Sequence, residues 1–403
     1  MDRGRKETKP IKKTELVKKE KTKLEIKQEK ERVISAFDRT FFITVLILLA
    51  FGTIMVFSAS YAYASANRGD SYFFIKRQLI FAFIGICAML AMSLIDYKII
   101  KLASIPIFFV SLGLMLLVVF TSSGEEHKGA SRWLGVGGLT FQPSEIFKLA
   151  IIILIADYVA HNYKKITGNW KQQIGYGFGF YMLIGGVVGL AFVLQDHLSG
   201  TIIGLAIVAF MMFIGGSNIF GIVGLASLAG LILRKIVPIV LKHSAERFDA
   251  WSDPFAMLHN KGWQPAQSLM AVASGEFWGV GFGASRQKQL YLPEPQNDYI
   301  FAILCEELGF IGAVSAICLI LFLIYRGIKI ALRAPDRFSS LLVAGIIFQV
   351  GFQTFLNICV VTNTLPSTGI SLPFFSYGGT SLIILLAEMG IVLNVSRYSL
   401  VDK

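Results

Sequence analysis

Few side chains in this 403-residue chain can do chemistry, and they fall in a handful of short stretches. Asp298 stands just before an apolar run in "YLPEPQNDYIFAILCEELG" (Tyr291 to Gly309), and Glu306 and Glu307 stand inside that run. A carboxylate at the edge of a membrane cavity can take a proton from a hydroxyl. The same Asp can instead be a first-turn charge favoured by the helix macrodipole, and the residues alone leave both readings open. The lead-in Leu292-Pro293-Glu294-Pro295 is stiff and fixes where the following residues point. On a helix, Glu306 and Glu307 lie about 12 Å further in, rotated from Asp298 by about 80° and about 180°. They cannot both share its face. Intramembrane carboxylates face the bundle interior and find partners there, so a structural role is expected for both.

Phosphate at such a site calls for cations, and the candidates are Arg132, Lys148, Arg286 and Lys288. Lys148 is three residues after Glu145. That spacing suits a local ion pair at a helix start, or a cation that holds phosphate at the membrane surface. Asp196 and His197 share a turn between two apolar runs, where a proton relay competes with a capping Asp beside an exposed imidazole. In "LPFFSYGGTS", Gly378 and Gly379 permit a tight turn or a close backbone approach. Ser376 and Thr380 there can donate to an anionic ligand or cap the last helix. The signatures of soluble catalysis are missing: no P-loop, no H-E-x-x-H and no G-x-S-x-G. Cys87, Cys305, Cys318 and Cys359 all lie in apolar segments without C-x-x-C spacing and read as packing residues.

The elements that must position these groups are membrane helices. The chain is 54% hydrophobic, with a mean hydropathy of +0.63. Only 16% of its residues are charged, against about 25% in a soluble domain. Apolar windows predict ten spans, near 41–62, 77–96, 100–120, 145–161, 176–195, 200–215, 218–240, 299–325, 340–361 and 379–396. The expected fold is therefore an all-α integral membrane protein. A ten-helix domain covers 37–398, and a large extracytoplasmic loop, 242–298, lies between helices 7 and 8. Residues 1–36 hold 13 Lys/Arg against 7 Asp/Glu, a net +6. They read as a basic cytoplasmic tail with no apolar h-region. With that tail inside, the loops "DYKIIK", "HNYKKITGNWKQQ" and "YRGIKIALRAPDR" are inside too, as the positive-inside rule expects, and ten crossings return the C-terminus to the same side. Irregular, polar chain then gathers on the outer face, in 121–145, 195–200, 242–298 and 361–380, and a site is expected there. Nothing in this pattern suits nucleic acid.

Three motifs occur in order: "RWLGVGGLTFQPSEIFKLA", "QSLMAVASGEFWGVGFGASRQKQLYLPEPQNDYIFAILCEELGFIG" and "NTLPSTGISLPFFSYGGTS". They resemble the SEDS family (shape, elongation, division, sporulation) over about residues 38–397. The "YLPEP" and "SRQK" wording is nearer to the division and sporulation members, FtsW and SpoVE, than to the elongation member RodA. The resemblance implies a peptidoglycan glycosyltransferase that polymerises lipid II, joining undecaprenyl-linked glycan by β-1,4 bonds at the outer leaflet of the bacterial cytoplasmic membrane. A class B penicillin-binding protein transpeptidase and other division proteins are the implied partners. Asp298 matches the family's catalytic Asp. The family's Arg-Trp pair and its Gln-Pro-Ser-Glu…Lys motif fall on Arg132 and Trp133 and on Gln142 to Glu145 with Lys148; with them, Lys288, Ser376, Gly378 and Gly379 are the candidate diphosphate and sugar contacts, and Asp196, Gln267, Glu294 and Glu306 the candidate supporting residues. A divalent cation, Mg or Mn, is compatible with a diphosphate substrate, but no metal ligand set is legible. The chain departs from the family wording at Gln296-Asn297-Asp298-Tyr299, at Trp263-Gln264, and at Glu276, where a small residue is usual. A lipid II flippase and a non-catalytic division scaffold are the rival readings.

Overall fold

A computed structural model describes residues 37–120, 133–136, 139–217, 250–258 and 261–398, with isolated positions between 221 and 230. The basic tail, Arg132 and most of the expected span at 218–240 lie outside the described residues. The described chain is a helical bundle: α1 Arg39–Arg68, α2 Phe73–Leu94, α3 Tyr97–Leu102, α4 Ser104–Phe120, α5 Pro143–Ile166, α6 Trp170–Leu194, α7 Leu198–Ile214, α8 Trp263–Ser274, α9 Ile300–Leu332, α10 Arg337–Val361 and α11 Gly379–Arg397. Of these, α1, α2, α6, α9, α10 and α11 are long and apolar enough to cross a membrane, and α4 and α7 are shorter apolar helices.

Local signals set the helix ends. Asp38 caps α1 by accepting from the Phe41 N–H at 2.9 Å, and Gly69, at φ 68, closes its other end. α5 starts on Pro143, with Glu145 in its first turn and Lys164 and Lys165 in its last. That order matches the helix dipole at both ends. α10 opens on a reciprocal capping box between Asp336 and Ser339. α6 contains a π-helical stretch, Gln173–Gly179.

Three features depart from a plain run of spans. A short antiparallel hairpin, β1 Leu134–Val136 with β2 Leu139–Phe141, precedes α5. The segment read as a large irregular loop contains α8, which packs on α9 and α10. And α9 is interrupted at Gly309, which takes φ 64, ψ −162. At the interruption the chain from 276 to 281 pairs with it: Val280 N–H to Glu306 O at 2.9 Å, Gly281 N–H to Glu307 O at 3.1 Å and Phe310 N–H to Glu276 O at 2.9 Å. The donors and acceptors freed by the break are thereby satisfied inside the bundle, as an apolar surrounding requires.

The two ends of the described chain meet on one face. The Asp38 N–H donates to Ser396 Oγ at 3.0 Å, and Arg326 pairs with the Asp38 carboxylate. Asn394 Oδ1 accepts from the Tyr97 N–H there, and the Tyr97 hydroxyl donates to Asp336 at 2.7 Å. Asp298, at the opposite end of α9 from Arg326, lies on the other face.

Candidate functional site

The stretch that carries Asp298 is held on every side by backbone contacts. From α8, Trp263 Nε1 donates to Tyr291 O at 2.7 Å and Gln264 Nε2 to Pro293 O at 3.3 Å. Glu294, at φ 47, accepts from Asn297 Nδ2 at 3.1 Å. The Tyr377 N–H donates to Gln296 O at 2.8 Å. Finally Asn357 Nδ2, fully buried in α10, donates to Asp298 O at 2.7 Å and to Ile370 O at 2.6 Å. The Asp298 backbone is thus fixed, while its partly exposed side chain lies beside Gly369, where a Cβ would sit 3.7 Å from Oδ2. Asp298 precedes α9 rather than sitting in it, so the helical-wheel angles to Glu306 and Glu307 do not apply.

The irregular segment 363–378 runs along this end of the bundle as a strap. Trp251 and Asn363 hold its start by exchanging hydrogen bonds at 2.9 and 3.0 Å. Gln353 Nε2, one turn from Asn357 on α10, donates to both Ser371 O and Ser371 Oγ at 3.0 Å. The Gln353 Oε1 accepts from Lys148 Nζ at 3.3 Å, and Lys148 pairs with Glu145 at 2.9 Å. One further turn along α10, Gln349 Nε2 donates to both oxygens of Glu388 in α11, at 3.2 and 3.3 Å. Glu145, Gln353, Ser371, Ser376, Gly378 and Glu388 all line one narrow pocket under the strap. The spacing 349, 353, 357 places three polar side chains on one face of α10. They tie Asp298, the strap and the Lys148 pair together. Three amides at i, i+4 and i+8 in an apolar window were the signal in the sequence for this stripe, which the motif reading missed.

The remaining expected residues divide. Ser376 Oγ accepts from the Leu372 N–H at 2.7 Å and so folds the strap on itself. Gly379 packs against Phe81 of α2. Gln267 is buried in α8 next to Ser268, whose hydroxyl donates to Val361 O at 2.8 Å. Asp196 lies in the separate turn between α6 and α7, and His197, expected to be exposed, is buried against Phe192. Glu306 takes a structural position: it accepts from Ser285 Oγ and from the Arg286 N–H at 2.9 Å.

Lys288 departs most from expectation. Its ammonium is buried, 2.6 Å from Glu307 Oε1 and 2.9 Å from Ser58 Oγ on α1, and the Ser58 hydroxyl reaches both Glu307 oxygens at 2.7 Å. A carboxylate this deep needs a cation, and Lys288 supplies it, so its charge is committed away from the pocket. Among the described residues no three His, Cys, Asp or Glu side chains come together as a metal ligand set.

Comparison with known proteins gives a consistent picture. Residues 38–400 match the cell cycle protein family of FtsW, RodA and SpoVE. The chain is 41% identical over 367 residues to Stage V sporulation protein E of Bacillus subtilis, spanning 89% of this chain and 96% of that protein. It is 38% identical over 370 residues to a probable peptidoglycan glycosyltransferase FtsW of Geobacter sp. (strain M18), spanning 91% and 98%. Its fold matches a chain of a solved peptidoglycan synthase complex that coordinates polymerization and crosslinking, with a TM-score of 0.72, 26% identity and coverage of 90% and 98%. The Rod shape determining protein RodA of Thermus thermophilus shares the fold at a TM-score of 0.67 and 24% identity, covering 91% and 99%.

Proposed function

Since the chain belongs to the FtsW, RodA and SpoVE family and is a multi-pass membrane protein, we propose that it is a peptidoglycan glycosyltransferase. It polymerises lipid II into glycan strands at the outer face of the cytoplasmic membrane during division or sporulation. In this reading the chain crosses the membrane ten times, with both termini cytoplasmic, and the face carrying Asp298 and the strap is the outer one. The basic loops support that orientation by the positive-inside rule.

The observation that carries the reading is the Asp298 carboxylate, partly exposed on a backbone that Asn357 and Tyr377 clamp from two other elements. Rigid placement is what a general base needs. Asp298 takes the proton from the GlcNAc 4-hydroxyl of the incoming lipid II. That oxygen bonds to the anomeric carbon of the growing strand, the anomeric C–O bond breaks, and undecaprenyl diphosphate departs with the negative charge. Lys148 is held by Glu145 beside the narrow pocket behind the strap, and Arg132, in the segment before the hairpin, remains a proposed diphosphate contact. No step is routed through a divalent cation. A class B penicillin-binding protein is the proposed partner for crosslinking, in line with the synthase complex that the fold resembles.

The flippase reading needs a polar route between the two faces. The buried carboxylates are instead spent on fixed partners, Glu306 and Glu307 on Ser285, Arg286, Lys288 and Ser58 and Glu388 on Gln349, which favours the polymerase. The deciding experiment uses purified chain, a class B partner and lipid II. General-base catalysis is worth about 10²–10⁴-fold, so Asp298→Asn should lower glycan synthesis by that factor with folding intact. Long glycan made by Asp298→Asn at the normal rate removes Asp298 from the chemistry.

A further inference from the structure

Lys288 is neutralised by Glu307, and Lys148 by Glu145, so the diphosphate of the proposed substrate needs other cations. Two arginines that the motif reading passed over lie at the Asp298 end of the bundle. Arg68 ends α1 and Arg77 lies in the first turns of α2, both exposed. Their guanidinium groups flank the Phe73 ring, 5.3 and 4.4 Å from its centroid. The neighbouring cation, Lys76, is already paired with Asp70 at 2.8 Å; no acidic partner for Arg68 or Arg77 occurs among the described residues.

Both arginines act electrostatically on Tyr377, which is bonded to the Asp298 loop. Burial pushes the Tyr377 phenol up, and the positive charges of Arg77 and Arg68 draw it only part of the way back. The Tyr377 N–H is bonded to Gln296 O, two residues from Asp298. Phe74 stacks edge-on against Tyr377 with ring centroids 4.9 Å apart, which fixes α2 against the strap. On the same face of α2, between Phe74 and the Phe81 that packs on Gly379, lies Gln78. It is fully buried, and both polar atoms of its amide lack a hydrogen-bond partner among the described residues. Polar groups buried in this way are normally satisfied, and this unsatisfied amide directly follows Arg77 in the chain.

We propose that Arg68 and Arg77, beside Tyr377 and Gln78, form the seat for the diphosphate of a prenyl-linked substrate at the mouth of the Asp298 site. Guanidinium is suited to this because its planar fork binds phosphate oxygens in pairs. The apolar outer face of α2, with Leu79, Ile80 and Phe83 exposed just below, gives the attached prenyl chain a surface within the bilayer. The seat deepens the glycosyltransferase reading and rests on it for the identity of the substrate, while its binding chemistry is independent of Asp298.

The test is equilibrium binding of geranylgeranyl diphosphate to the full chain in phosphatidylcholine nanodiscs, with phosphatidylglycerol binding measured alongside. Arg77→Gln should weaken diphosphate binding at least tenfold, the Arg68→Gln, Arg77→Gln pair further, and Arg77→Lys partly, with phosphatidylglycerol binding little changed. Asp298→Asn should bind the diphosphate as wild type does, so a failure of the base assignment leaves this result readable. If Arg77→Gln does not fold, Arg68→Gln, altered at an exposed helix end, gives the same comparison. Wild-type affinity in a folded variant overturns the seat. So does an equal loss of diphosphate and phosphatidylglycerol binding, which would make the pair a general anchor for anionic lipid.

Discussion

Asn357 donates to the Asp298 carbonyl at 2.7 Å and, through the same nitrogen, to the Ile370 carbonyl at 2.6 Å. One buried amide therefore sets the distance between the proposed base and the strap that crosses it. Asn357→Ala leaves two carbonyls without that donor, at a cost of about 1–3 kcal/mol for each that finds no substitute. The expected outcome is a lowered unfolding temperature in detergent, together with a loss of lipid II polymerisation greater than the loss of folded protein. Asn357→Ala with wild-type turnover per folded molecule would show that the clamp does not position Asp298.

The Lys288–Glu307–Ser58 cluster is expected to be structural. Removing one partner of a buried pair strands the other charge and costs about 3–5 kcal/mol, whereas replacing both with apolar groups of similar volume is often neutral. Lys288→Met alone should express poorly or unfold early. The Lys288→Met, Glu307→Met double variant should recover much of the stability and also the glycan synthesis. A double variant that is folded yet inactive would return Lys288 to the substrate.

These two sites show what the sequence discloses and what it does not. Long apolar windows predicted the described membrane helices to within a few residues at most ends, because bilayer length and apolar content are properties of contiguous chain. The Glu145–Lys148 pair was legible as one of two readings, since its partners sit one turn apart on the same helix. Lys288 and Glu307 are 19 residues apart on different elements, and no local pattern pairs them. The Gly309 break was hidden inside an apolar run, where one glycine does not distinguish a continuous helix from an interrupted one. Arg77 and Tyr377 meet only because α2 packs on the strap and the start of α11.

Acid should act on the Asp336 end of α10. Burial raises the Asp336 pKa, but the Ser339 N–H, the Tyr97 hydroxyl and the Ser339 hydroxyl outweigh it and hold the carboxyl below its usual 3.8. The folded state therefore binds this proton more weakly than the unfolded state does. The stabilisation is complete above the unfolded value and is lost as pH falls below it, through the folded value. Asp336→Asn keeps a capping side chain but cannot titrate. Thermal unfolding followed from neutral pH to about pH 3 should show a steeper acid loss in the wild type than in Asp336→Asn, with the two curves parallel above about pH 5. Parallel curves across the whole range would remove Asp336 from the acid response.

The break in α9 gives a prediction in two directions. Gly309 has φ 64, ψ −162, and a Cβ there would overlap the Gly279 backbone nitrogen in the segment that pairs with the break. Gly309→Ala must therefore both strain the backbone and push two main chains apart. The expected loss is well above the roughly 1 kcal/mol of an ordinary glycine exchange, read as aggregation or a much lower unfolding temperature. Glu276, whose carbonyl accepts from Phe310 just past the break, is a non-glycine residue at φ 46. Left-handed backbone costs a side chain about 1–2 kcal/mol, partly offset by the greater freedom that glycine regains when unfolded. Glu276→Gly should thus be neutral or raise stability by up to about 1 kcal/mol. A Gly309→Ala chain that melts with the wild type would show that α9 runs through unbroken.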